Sequence, residues 1–88
     1  MKIYWDGKIK NLVGPKVKEL RKEKNLTQKE LAVQLQLLGY DFNDLTILRI
    51  EQQSRFVSDM ELLALATYFD IDICKLYSLE ILEPAKNI

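Results

Sequence analysis

The sequence predicts an all-α fold, a compact bundle of five helices, and three observations predict it. Apolar residues recur at helical spacing: Val13, Val17 and Leu20; Leu31, Leu35 and Leu38; Leu62, Leu65, Ala66 and Phe69. Helix starts are spelled out by capping residues, most completely in Thr27-Gln-Lys-Glu30 and Ser58-Asp-Met-Glu61. In both, the hydroxyl and the carboxylate three residues on satisfy each other's orphan backbone N–H groups. Breakers are scarce, with 3 Gly and 2 Pro in the chain, so little interrupts the helical pattern.

The first helix is expected at about 14–24, where Gly14-Pro15 puts proline at a position whose missing N–H costs nothing. The second, at about 27–38, starts at Thr27 with Leu26 and Leu31 as a hydrophobic staple, and Gly39 terminates it. The third, at about 43–52, has Asn43 as its cap and Phe42 with Ile47 as its staple. The fourth runs over about 58–69 from Ser58, stapled by Val57 and Leu62. The fifth, at about 72–78, takes Asp72 as its cap and Ile71 with Leu76 as its staple. Only the ends depart from this pattern, as short extended segments. Asp6-Gly7 between Ile3-Tyr4-Trp5 and Ile9 is a hairpin signal, and the alternation before Pro84 allows a strand or one last helical turn. The expected organisation is an extension over 1–10, a helical domain over 11–77 and a tail over 78–88.

At 88 residues, 48% of them apolar, the chain is long enough for one domain with a compact core. No apolar run approaches the roughly 18 residues of a membrane span, and the N-terminus lacks a signal peptide's apolar centre. The single Cys74 excludes an intrachain disulfide and fits a reducing cytosol, so a cytoplasmic location is expected. It reads as a small core residue beside Ile73. With 0 His, no Ser-His-Asp or Cys-His nucleophile and none of the common zinc sets can be assembled. Isolated glycines at 7, 14 and 39 exclude a phosphate loop. The expectation is a binding module, not an enzyme, with no metal, no cofactor and, lacking a separate ligand domain, no small-molecule ligand.

The formal net charge of +0 conceals a polarised chain. Residues 1–30 carry nine Lys/Arg against four acids, whereas residues 31–88 carry four against nine. Such a chain can turn a basic face to a polyanion while the rest stays acidic.

The segment Leu26-Thr-Gln-Lys-Glu-Leu-Ala-Val-Gln-Leu35, followed by Thr46-Ile-Leu-Arg-Ile-Glu51, resembles the helix-turn-helix family of phage repressors and Cro proteins. Val17-Lys-Glu-Leu-Arg21 before it, and Leu62-Leu-Ala-Leu-Ala66 and Asp70-Ile-Asp-Ile-Cys-Lys-Leu76 after it, extend the resemblance over about residues 11–77. It implies a five-helix, lambda-repressor-like bundle that lays its third helix in the major groove of double-stranded DNA. Residue by residue, it places Asn43, Asp44, Leu45, Leu48 and Arg49 at base edges. Thr27 and Gln28 fall at a backbone phosphate near the second helix's N-terminus, where the dipole also favours an anion. Gln52, Ser54 and Arg55 fall in the loop that holds a second phosphate. Arg21 is matched to an ion pair with Glu51 across the first and third helices.

Several positions depart from that pattern. Asp44, Leu45 and Leu48 stand where polar readers are usual, Gln53 stands where a left-handed glycine is usual, and the turn after the second helix is about five residues longer. Two readings follow. The first is a DNA-binding transcriptional regulator, a homodimer because one recognition helix reads only one half-site. Its dimer surface would be the apolar remainder of the last two helices with Tyr77, Leu79, Ile81 and Leu82, joined by Ile3–Trp5. The second is a helix-turn-helix fold used as a protein–protein interaction module. A continuous basic rim from Thr27 to Arg55 favours DNA; an acidic, apolar patch there favours protein.

Overall fold

A computed structural model describes residues 8–77, and these residues are all-helical, with no strand among them. Four α-helices follow one another: α1 (Gly14–Glu23), α2 (Gln28–Leu37), α3 (Asp44–Glu51) and α4 (Asp59–Phe69). A 3-10 turn, Ile73–Leu76, comes last. The hairpin and strand expected at the ends fall mostly on residues 1–7 and 78–88, outside the described residues.

Caps and turns account for where the helices stop and start. Thr27 and Ser58 both form complete capping boxes, with Glu30 and Glu61 reaching back to the cap N–H. Asn43 Oδ1 accepts from Thr46 N at 2.8 Å and from Thr46 Oγ1 at 3.0 Å. Gly39, at φ +95°, ends α2 in the left-handed region, where its lack of a Cβ removes the steric cost. The longer turn is anchored by Phe42, which is buried, and by the Gln36 side chain donating to the Phe42 carbonyl.

The fifth helix expected at about 72–78 is reduced to that single 3-10 turn. Asp72 makes no side-chain cap bond, and Leu76 is the one fully buried residue of the turn. Four residues tethered by one apolar anchor gain too little burial to offset the ordering of a longer helix. Cys74 is accordingly exposed rather than in the core.

The core is continuous. Val13 and Val17 of the α1 side meet Leu31, Ala32 and Leu35 of α2, Ile47 and Ile50 of α3, and Ala64, Leu65 and Phe69 of α4. α3 packs against both α1 and α2, while α4 supports α2 and the 3-10 turn from behind. This arrangement holds α3 on one side only. Its Ile47 and Ile50 face inward, and Asp44, Leu45, Arg49 and Gln52 are exposed on the other side.

Candidate nucleic-acid interface

What positions α3 is polar as well as apolar. Arg21 donates from Nε to Glu51 Oε2 at 2.6 Å and from Nη2 to Oε1 at 3.0 Å, a two-pronged contact that fixes both side chains. Nη1 donates to the Leu26 carbonyl at 2.7 Å, which ties the end of α1 to the approach of α2. Only 10% of the Arg21 side chain and 3% of the Glu51 side chain remain exposed, so the pair lies largely out of water. The hydrogen bond from Glu51 raises the guanidinium pKa; burial opposes that shift and the carboxylate's charge adds to it.

The same C-terminal end of α3 is also held by residues that no motif pointed to. Asn11 Nδ2 donates to the carbonyls of Ile50 at 3.1 Å and Arg55 at 2.9 Å, while its Oδ1 accepts from Gly14 N at 2.8 Å. Gln53 returns the contact, its Nε2 donating to the Asn11 carbonyl at 3.1 Å, and Lys10 N donates to the Gln53 carbonyl at 2.9 Å. Gln53 itself is left-handed, at φ 60°. The turn where a glycine is usual is therefore kept by a non-glycine residue whose side chain helps to close it. The one sequence signal was Asn three residues before Gly14, an Asx-type turn preceding a helix.

Six of the ten residues expected at DNA are engaged within the molecule. Thr27 and Asn43 serve as caps. Gln28 is half-buried and donates from Nε2 to Glu51 Oε1 at 3.1 Å, so it extends the Arg21–Glu51 network instead of standing solvated or ready for a phosphate. Asp44 Oδ1 accepts from Leu45 N at 3.0 Å, and Ser54 Oγ donates to the Arg49 carbonyl at 3.2 Å. Arg55 pairs with Glu61, Nη1 to Oε2 at 3.1 Å, which neutralises the cation expected in the second phosphate loop.

The remaining four lie on the outer side of α3. Leu48 is half-buried and Leu45 is 46% exposed. Arg49 and Gln52 are exposed, and among the described residues neither side chain makes a hydrogen bond or an ion pair. They sit three residues apart, which makes them neighbours on the helix surface.

The charge on this side is graded, not continuous. Asp41 and Asp44 mark the N-terminal end of α3, and Arg49 with Lys10 the C-terminal end. Each sign suits the helix dipole at its own end. At the α2 terminus that precedes this end in the chain, Leu37 and Leu38 are 75% and 52% exposed. The rim therefore carries features of both expected readings. Comparison with family models, with curated proteins and with solved structures yields no match.

Proposed function

We propose that the chain is a repressor- or Cro-type helix-turn-helix domain, with α2 and α3 as the helix pair and the 3-10 turn in the place of a fifth helix. In this reading it binds double-stranded DNA as a sequence-specific, non-enzymatic transcriptional regulator. The observation that carries the proposal is the division of labour among the polar candidates. Those around α3 are bound within the molecule, while Arg49 and Gln52 stand exposed and unengaged on one face of the helix.

That pair is chemically suited to base edges. A guanidinium donates in two prongs to guanine O6 and N7, and a primary amide pairs with adenine N6 and N7. Leu45, one turn before Arg49, suits a thymine methyl. Rigidity supports the same reading. The Arg21–Glu51 pair and the Asn11 clasp both fix the C-terminal end of the helix, so little order has to be imposed there on binding. With Gln28 and Arg55 engaged elsewhere, phosphate contacts fall to Lys10, Lys29 and the first N–H groups of α2. Reading both halves of a symmetric site, about 34 Å apart, requires a homodimer.

Selection of binding sites from a random duplex pool tests the proposal. It predicts recovery of a short consensus, and loss of discrimination at one base pair by about 1–3 kcal/mol in each of Arg49→Ala and Gln52→Ala. A pool that emerges unenriched overturns it. A second reading, a protein-interaction module, is favoured by the exposed Asp41 and Asp44 at the start of α3 together with the exposed Leu37, Leu38 and Leu45. That surface fits a basic amphipathic segment.

A further inference from the structure

We infer that Gln53 is a positioning residue: it holds Lys10 at the C-terminal end of α3, where the Lys10 ammonium binds the DNA phosphate expected at Arg55. The inference rests on the DNA reading and adds to it the residue that places one phosphate ligand.

Among the described residues, three other than glycine take left-handed backbone angles: Asn25 at φ 57°, Gln53 at φ 60° and Asp70 at φ 55°. Asparagine and aspartate visit that region because a short polar side chain bonds locally, and glutamine's longer one does not. Strain kept at such a position points to a use for the side chain that imposes it. Gln53 has one. Its Nε2 donates to the Asn11 carbonyl at 3.1 Å, while its own carbonyl accepts from Lys10 N at 2.9 Å. A glycine, usual at this turn in the family resembled, would keep the second bond and lose the first.

The segment gripped in this way carries a cation that is still available. Lys10 is exposed, and its ammonium stands 5.7 Å above the ring of Phe56, which is 61% exposed. A ring face attracts an ammonium without neutralising it. Among the described residues no carboxylate comes within ion-pair distance of Lys10. Arg55 is the contrast, since its Nη1 donates to both oxygens of Glu61, at 3.2 and 3.1 Å. The two cations meet at one turn, where Asn11 Nδ2 donates to the Arg55 carbonyl at 2.9 Å. Lys10 is bonded to the residue that follows Gln52, so its charge is set at the same end of α3 as the exposed Arg49–Gln52 pair.

Binding of the full chain to the selected duplex and to a scrambled one, each over a series of salt concentrations, tests the inference. Lys10→Ala should weaken both alike, about threefold to tenfold, and reduce the slope of log affinity against log salt by about 1. Lys10→Arg should restore the slope. Gln53→Gly relieves the left-handed strain, which offsets the lost bond, so its thermal midpoint should hold. It should nonetheless weaken both duplexes by about twofold to fivefold, because Lys10 must then be ordered on binding. In the Lys10→Ala background the same substitution should have no further effect, since both act through one contact. An unchanged salt slope in Lys10→Ala, or an effect of Gln53→Gly that is the same with and without Lys10, would overturn the inference. Arg49→Ala separates the two claims. Lost discrimination there beside an unchanged slope in Lys10→Ala removes the inference alone, whereas wild type that binds neither duplex removes both.

Discussion

Gly14 of α1 lies against the Ile50 carbonyl of α3 so closely that a Cβ on the glycine would stand 2.3 Å from the oxygen. The Glu51 carbonyl, 3.1 Å from the same point, closes the other side. Gln53 Cγ stands 3.0 Å from that point, but the nearest atom is backbone and cannot swing aside, so the helices meet here only without a side chain on residue 14.

Gly14→Ala should therefore destabilise the protein by about 2–4 kcal/mol, the cost of separating two packed backbones. Helix propensity alone would argue for a gain of about 1 kcal/mol. Gly39→Ala should cost only about 1–2 kcal/mol, from left-handed strain, because nothing lies within 4 Å of its Cβ position. Urea unfolding of the two variants checks the order; a stabilised Gly14→Ala would contradict the close approach.

The Arg21–Glu51 pair makes a second stability prediction. Glu51→Ala leaves a largely buried guanidinium with only the Leu26 carbonyl and should cost about 2–4 kcal/mol. Arg21→Lys should also destabilise the protein, since an ammonium cannot reproduce the two-pronged contact and the Leu26 bond together. The linked pH dependence has a definite sign. A cation whose folded pKa is raised contributes stability below its unfolded value and loses it as pH rises through the folded one. For arginine that window is strongly alkaline, so this contribution should stay flat from roughly pH 6 to 10 in thermal denaturation.

Asn11→Ala removes three hydrogen bonds and takes their partner from the Arg55 carbonyl and the Gly14 N–H, while Ile50 keeps Gln53 N–H, at a cost of about 1–3 kcal/mol. Loosening the C-terminal end of α3 should also show in amide exchange. Protection should fall over residues 49–55 while α2 keeps its own. Uniform loss of protection across all four helices would contradict a local clasp.

The four helices were legible because their determinants are local. Thr27, Asn43 and Ser58 act through bonds to residues three positions on, and the core stripes follow from periodicity. The Arg21–Glu51 contact was expected from the resemblance, and it is present as a two-pronged pair. What the sequence hid is long-range polar partnership. Asn11 bonds residues 39 and 44 positions away, and Gln28 reaches Glu51 across 23. Such pairings leave no period or spacing to detect. The reduction of the fifth helix, with Cys74 exposed, was hidden for another reason: a staple is a two-residue signal and does not report whether enough surface follows to be buried.

In the proposed function the exposed face of α3 lies against DNA, and Asp44 and Arg49 test that placement from opposite sides. Asp44 is exposed at the start of the helix, so Asp44→Asn removes a charge that repels phosphate by about 0.5–1.5 kcal/mol, at a cost of a few tenths in the helix dipole. Affinities of wild type, Asp44→Asn and Arg49→Ala should be measured at two salt concentrations, on a selected duplex and a scrambled one. Asp44→Asn is predicted to bind both duplexes several-fold more tightly, most clearly at low salt, and Arg49→Ala to bind the selected duplex more weakly. Affinities unchanged by either substitution, with all three proteins folded, would show that α3 does not lie against DNA.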